Sequence, residues 1–220
     1  MRVLEVYPFG RGLGQAFREH GHEVFVVDFK ERPKVGQVTN AIVSPEGLAA
    51  WVPPAGPWDV ALLRPFCTTY SRASFYKHYR DNITGQPLTA IAREADEIVC
   101  GMLRIKDDAR PRLGWILENP NGSLRKCAWM KQYPVSTVTL CQYGETYRKA
   151  TDLFGKLPPG FAPRACKTGA PCHEKSVWSK GDGVATVGDA LKRHRKSPFE
   201  KAFLPFQLSL ELCEAFEESA

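Results

Sequence analysis

The chain has 220 residues, enough for one domain with a sizeable core, or one domain with a small appendage. It is 43% hydrophobic and 25% charged, an ordinary globular balance. No window reaches the apolar length of a membrane span, and the N-terminus lacks the apolar core of a signal peptide, so an intracellular protein, cytoplasmic or nuclear, is expected. The net charge of +6 suits a polyanionic partner without selecting one. Seven cysteines, an odd number scattered through the chain, argue against a disulfide framework and leave catalysis, metal binding or burial to account for them.

In chain order, "MRVLEVYPFGRGLGQAFREHGHEVFVVDF" reads as strand, glycine-rich turn, helix and strand. Val3, Leu4 and Val6 make the first strand, Leu13, Ala16 and Phe17 a helical stripe, and Gly21 suits a helix C-cap. "EVFVVDF" is a β-branched second strand ending on Asp28, which completes an opening βαβ unit. After a loop-rich stretch, "WDVALLRPFC" supplies another strand. The helix that follows carries Ile91, Ala95, Ile98, Val99, Met102 and Leu103 on one face and stops at Pro111. "RLGWILENP" and "VSTVTLCQYG" are further strands. Strands spaced by helix-length segments imply a doubly wound, mostly parallel sheet over residues 1–156. Residues 157–198, rich in Pro, Gly, Lys and Cys, read as a small irregular insert, and 199–220 as a C-terminal helix with Leu208, Leu212 and Phe216 on the face that packs back.

In such a sheet ligands lie beyond the carboxyl ends of the strands. Three features fall there: the glycine-rich turn, Cys67, and the triplet Glu118-Asn119-Pro120 that ends an apolar run. Taken singly, each has an ordinary structural explanation: a cysteine as a small buried hydrophobe, a solvated glutamate, a turn that is only a turn. Their order along the chain is the stronger signal.

That order resembles the DNA cytosine-5 methyltransferases, especially the small virus-type members. "WILENPNGSLRK" is similar to the family's Glu-Asn strand end, "TVTLCQYGETYRKATDLF" to its Tyr-Gly segment, and "WDVALLRPFCTTYSRAS" to its nucleophile segment. "CKTGAPCH" also resembles the small members. The resemblance implies a Rossmann-like sheet of the class I methyltransferase type, S-adenosylmethionine as cofactor and DNA as partner. It implies that Cys67 attacks C6 of a flipped-out cytosine, that Glu118 holds the N3 edge, that Asn119 positions the loop, and that Lys149 or its neighbour Arg148 supplies a basic group nearby. Tyr7, Phe9, Gly10, Gly12, Asp28 and Asn40 would line the cofactor, with Asp28 on the ribose hydroxyls. Two places depart from the pattern. Phe66 stands where the family has a proline before the cysteine, and Phe9 and Arg11 stand where an ungapped reading expects glycines. A methyltransferase-shaped binding module without catalysis is therefore an alternative, as is an enzyme of this fold with another cofactor or acceptor.

Cys166, Cys172 and His173 are candidate ligands of a structural zinc, with Cys141 a fourth through the fold. Against them, Cys-x5-Cys-His is not a standard finger spacing, and adjacent Cys and His rarely share one ion. Cys100 and Cys213 are expected in the core. Arg125, Lys126, Lys131, Arg148, Lys149, Arg164, Lys167 and the run at 192–196 are the material for phosphate contacts.

Overall fold

The computed structural model describes residues 1–9, 12–31, 39–173 and 202–220. Seven strands form one sheet: β1 Arg2–Val6, β2 Glu23–Asp28, β3 Ala41–Ile42, β4 Val60–Leu63, β5 Gly114–Pro120, β6 Val135–Thr139 and β7 Ala150–Lys156. Their spatial order is β3-β2-β1-β4-β5-β7-β6. The first five run parallel, and β7 lies antiparallel between β5 and β6. This is a doubly wound, Rossmann-like sheet. Its strand order reverses at β1 and β4, and in sheets of this kind ligands bind in the crevice beyond the carboxyl ends of such strands.

The central strands are apolar on both sides because both faces are covered. On one face α2, Ala90–Ala109, sets Ala95, Val99 and Met102 in a cluster with Leu4, Val6, Leu63 and Leu117. On the other, α1 (Gln15–Glu19) and α3 (Phe206–Glu217) bring Phe17, Leu208, Leu212 and Phe216 against Val3, Val60, Leu62 and Ile116. Alternate residues of one strand thus enter opposite clusters, as the pleat requires. Ser209 ties α3 to α1 by accepting from the Ala16 amide at 3.0 Å and donating to the Leu13 carbonyl.

Some expectations need correction. Ile91 is 45% exposed, because the buried series of α2 begins at Ala92 and Ala95. Cys100 is also exposed, one position off the packed stripe at Val99, whereas Cys213 is buried. β7 has no counterpart among the strands expected above, and it shows no period-2 alternation, since Thr151 through Gly155 are all buried. The insert is described only as far as His173, and the basic run at 192–196 lies outside the described residues. No helix among the described residues is long and apolar enough to cross a membrane.

Candidate active site

The turn after β1 adopts backbone that its side chains resist. Tyr7 and Phe9 have φ of 58° and 53°, the left-handed region that glycine occupies without cost and a side chain occupies at about 1–2 kcal/mol. Tyr7 is held there by burial and by its hydroxyl, which donates to the Val43 carbonyl at 2.7 Å. Burial, and next the charge of Asp28, push that hydroxyl well above its ordinary pKa, so it stays a neutral donor. Gly10 and Arg11 lie outside the described residues. Gly12 is required by a residue the sequence reading passed over: a Cβ there would sit 2.1 Å from Glu5 Oε1, and one at Gly14 would sit 2.5 Å from Glu5 Oε2. Glu5 is fully buried within β1, accepting from the Gly14 amide at 2.8 Å and from Arg18 at 2.9 Å. These two glycines therefore let the turn close over a buried carboxylate.

Beyond the ends of β1, β2 and β4 four aromatic rings meet. Tyr7, Phe9, Phe29 and Phe66 lie with centroids 5.2 to 6.4 Å apart, tilted or edge-on, the arrangement that ring quadrupoles favour. Phe9 and Phe66 thus pack on each other at the topological switch point. Asp28, at the end of β2, has no accessible surface and accepts from the Phe29 amide at 2.8 Å. Asn40 is exposed, and its Oδ1 accepts from the Val26 amide at 2.7 Å, tying it to β2.

The ends of β4 and β5 are joined by Arg64. Its Nε donates to Glu118 Oε2 at 2.9 Å, and its other nitrogens donate to the carbonyls of Pro8 and Ala202. Arg64 and Glu118 are 3% and 4% exposed, so this is a buried ion pair that fastens the turn after β1 and the approach to α3 to the Glu118 strand end. Asn119 Nδ2 donates to the Pro65 carbonyl at 3.2 Å, binding β5 to the cysteine loop. The same two loops meet again where Ser71 bridges Gly122 and the Ser123 amide donates to the Tyr70 carbonyl at 2.8 Å. Arg80 holds the far side of the cysteine loop against α2 through Asp96 at 2.9 Å and the Ala92 carbonyl at 2.6 Å.

Cys67 keeps an exposed surface on this scaffold, and its sulfur is partly withdrawn from water. That desolvation pushes the thiol above its ordinary pKa; Lys149 and Arg64 oppose the rise, and Glu118 adds to it. The structure therefore brings Cys67, Glu118 and Lys149 into one electrostatic neighbourhood, with Asn119 bonded to the backbone beside the cysteine. Since the thiolate is the nucleophile, alkylation of Cys67 by iodoacetamide, read by peptide mass to separate it from exposed Cys100, should be slow at neutral pH and rise steeply into the alkaline range. Lys149→Gln removes a favourable charge and should slow it further, while Glu118→Gln should speed it. A pH-independent rate, or acceleration by Lys149→Gln, would contradict this assignment.

Several of the candidate phosphate contacts are engaged within the chain, Lys126 with the Asn82 carbonyl and Arg148 with that of Cys166 among them. Arg125 forks onto Asp152 at 2.6 and 2.7 Å, and Arg164 pairs with Glu211 at 2.6 Å. Lys131 and Lys167 are exposed. Away from the crevice, Cys141, Cys166, Cys172 and His173 bring their donor atoms within 4.8 Å of one another.

No protein-family model matches the chain, and no curated protein does. Among solved structures, a DNA modification methyltransferase encoded within an E. coli prophage aligns at TM-score 0.48 and 12% identity, over 85% of this chain and 61% of that one. The Entamoeba histolytica methyltransferase EhMeth aligns at TM-score 0.48 and 12% identity, over 76% and 57%. The S. pombe Dnmt2 methyltransferase aligns at TM-score 0.44 and 13% identity, over 83% and 57%. The chain spans less than two thirds of the length of each.

Proposed function

We propose that the protein methylates C5 of cytosine in DNA with S-adenosylmethionine, through a bond between Cys67 Sγ and C6. One observation carries this reading. Glu118 Oε1 and Asn119 Oδ1 are buried acceptors that meet no donor among the described residues, and they stand on adjacent residues at the strand end beside the cysteine loop. Left unsatisfied, such atoms cost about 1–3 kcal/mol each. A flipped-out cytosine brings a suitable donor, its N4 amino group. Glu118 would then hold the base, with Asn119 positioning the cysteine loop, while Cys67 attacks it. The thiolate pair forms the S–C6 bond, and the C5=C6 pair moves to C5, which accepts a methyl group. A base then removes the C5 proton, the double bond returns, and Cys67 leaves as thiolate.

S-adenosylmethionine, when bound, supplies the electrophilic methyl group. The residues suit it in kind: Asp28 for ribose hydroxyls and the faces of Phe9, Phe29 and Phe66 for a flat base. Asp28 has no accessible surface in this structure, so a cofactor reaches it only after rearrangement around the end of β2. The same closed rings favour a second reading, a binding module that no longer catalyses. Incubation of cytosine-containing DNA with methyl-labelled S-adenosylmethionine, followed by digestion to nucleosides, separates the two. Label in 5-methyldeoxycytidine, absent with Cys67→Ser, supports the enzyme. DNA binding without any transfer supports the module.

A further inference from the structure

We propose that Cys141, Cys166, Cys172 and His173 bind one zinc ion in a closed, tetrahedral, structural site. The sulfur of Cys141 lies 3.3 Å from that of Cys166 and 3.8 Å from that of Cys172. His173 Nδ1 is 3.8, 3.6 and 3.4 Å from the sulfurs of Cys141, Cys166 and Cys172. A zinc ion with Zn–S of about 2.3 Å and Zn–N of about 2.0–2.1 Å needs donor separations of about 3.5–3.8 Å, and these fall around that range. The donors are three soft sulfurs and one imidazole, the set that selects zinc over magnesium or calcium. All four positions of the tetrahedron are filled by the chain, which leaves none open for a reacting water and makes the role structural.

The backbone delivers these donors from three separate places. Cys141 lies in the turn Leu140–Tyr143 that follows β6. Cys166 lies on an arm laid against the end of β6, where the Thr139 amide donates to the Arg164 carbonyl at 3.0 Å and the Cys166 amide to Thr139 Oγ1 at 2.9 Å. Gly169, at φ 83°, then turns the chain back so that Cys172 and His173 face the other two. Adjacency of Cys172 and His173, which spacing alone counts against a shared ion, is accommodated because their donor atoms converge to 3.4 Å. The ion would fasten this arm to the sheet. Arg148 rests on the arm, donating to the Cys166 carbonyl at 3.3 Å, and its neighbour Lys149 is the residue whose charge acts on Cys67.

The test begins with the full-length protein purified without chelator. Elemental analysis should find one zinc per chain. Replacement by cobalt(II) should give the intense visible bands of a tetrahedral ion together with thiolate charge-transfer absorption. Cys166→Ser and Cys172→Ser should weaken cobalt binding by more than the about 10–100-fold that an outer-shell partner is worth, whereas exposed Cys100→Ser leaves it unchanged. Should the serine variants fail to fold, chelation of the unaltered protein decides: its melting temperature should fall and zinc should restore it. A folded protein that carries no metal and gives no cobalt bands overturns the proposal. So does a disulfide between any two of the three cysteines, or chelation and zinc that leave melting unmoved.

Discussion

Arg64→Met should lower the unfolding free energy by about 3–5 kcal/mol, the loss seen when one partner of a buried ion pair is removed. The guanidinium joins Glu118, Pro8 and Ala202, and its partner carboxylate has almost no access to water. Methionine fills much of the volume but strands the Glu118 charge and releases two carbonyls. Glu118→Gln added to Arg64→Met removes the stranded charge and should return much of the loss, a coupling that a double-mutant cycle in urea measures directly. A loss below about 1 kcal/mol, the range of exposed pairs, would mean that Arg64 and Glu118 are not a buried pair in solution.

Gly122→Ala should be a damaging small change between the loops that carry Cys67 and follow Glu118. A Cβ at Gly122 would lie 2.1 Å from the Tyr70 carbonyl oxygen, a backbone atom, so the loops after β4 and β5 must separate. Overpacking of this kind costs about 1–3 kcal/mol. The separation acts on the relation between Cys67 and Glu118, because the Ser71–Gly122 bridge holds their loops together. Displacement of reacting groups by an ångström can cost about 100-fold in rate, and methyl transfer should fall by that order. Gly47→Ala, whose Cβ would meet only ordinary contacts at 3.4 and 3.5 Å, is the control. Equal activity of the two variants would show that the loop contact does not set the site.

Much of this architecture is legible in the sequence because hydrophobic pattern dictates it. Val3–Val6, Val60–Leu63 and the long stripe of α2 must be buried, and a parallel sheet covered on both faces follows. β7 is not legible, since Asp152 interrupts an otherwise apolar strand. Its carboxylate is acceptable there only because Arg125, Asn121 and Thr137 converge on it. The candidate site shows the same limit. Cys67, Glu118 and Asn119 stand out as reactive or polar residues at strand ends, whereas Arg64 and Glu5 do not. A charge directly after Val-Ala-Leu-Leu, or inside β1, is the one available signal that a buried partner awaits it, and the partner is distant in sequence. The aromatic cluster is similarly invisible, because Tyr7, Phe9, Phe29 and Phe66 converge only once three strand ends are side by side.

The central claim is that Cys67 forms a covalent bond to cytosine C6, and one measurement addresses it directly. The protein is incubated with S-adenosylmethionine and a duplex containing 5-fluorodeoxycytidine, in which fluorine at C5 leaves no proton to remove and the thiolate cannot depart. Mass spectrometry should then find a protein–DNA adduct carrying one added methyl group, attached at the Cys67 peptide and absent from Cys67→Ser. Undiminished DNA binding with no adduct at Cys67 would contradict the mechanism and leave the crevice as a binding surface.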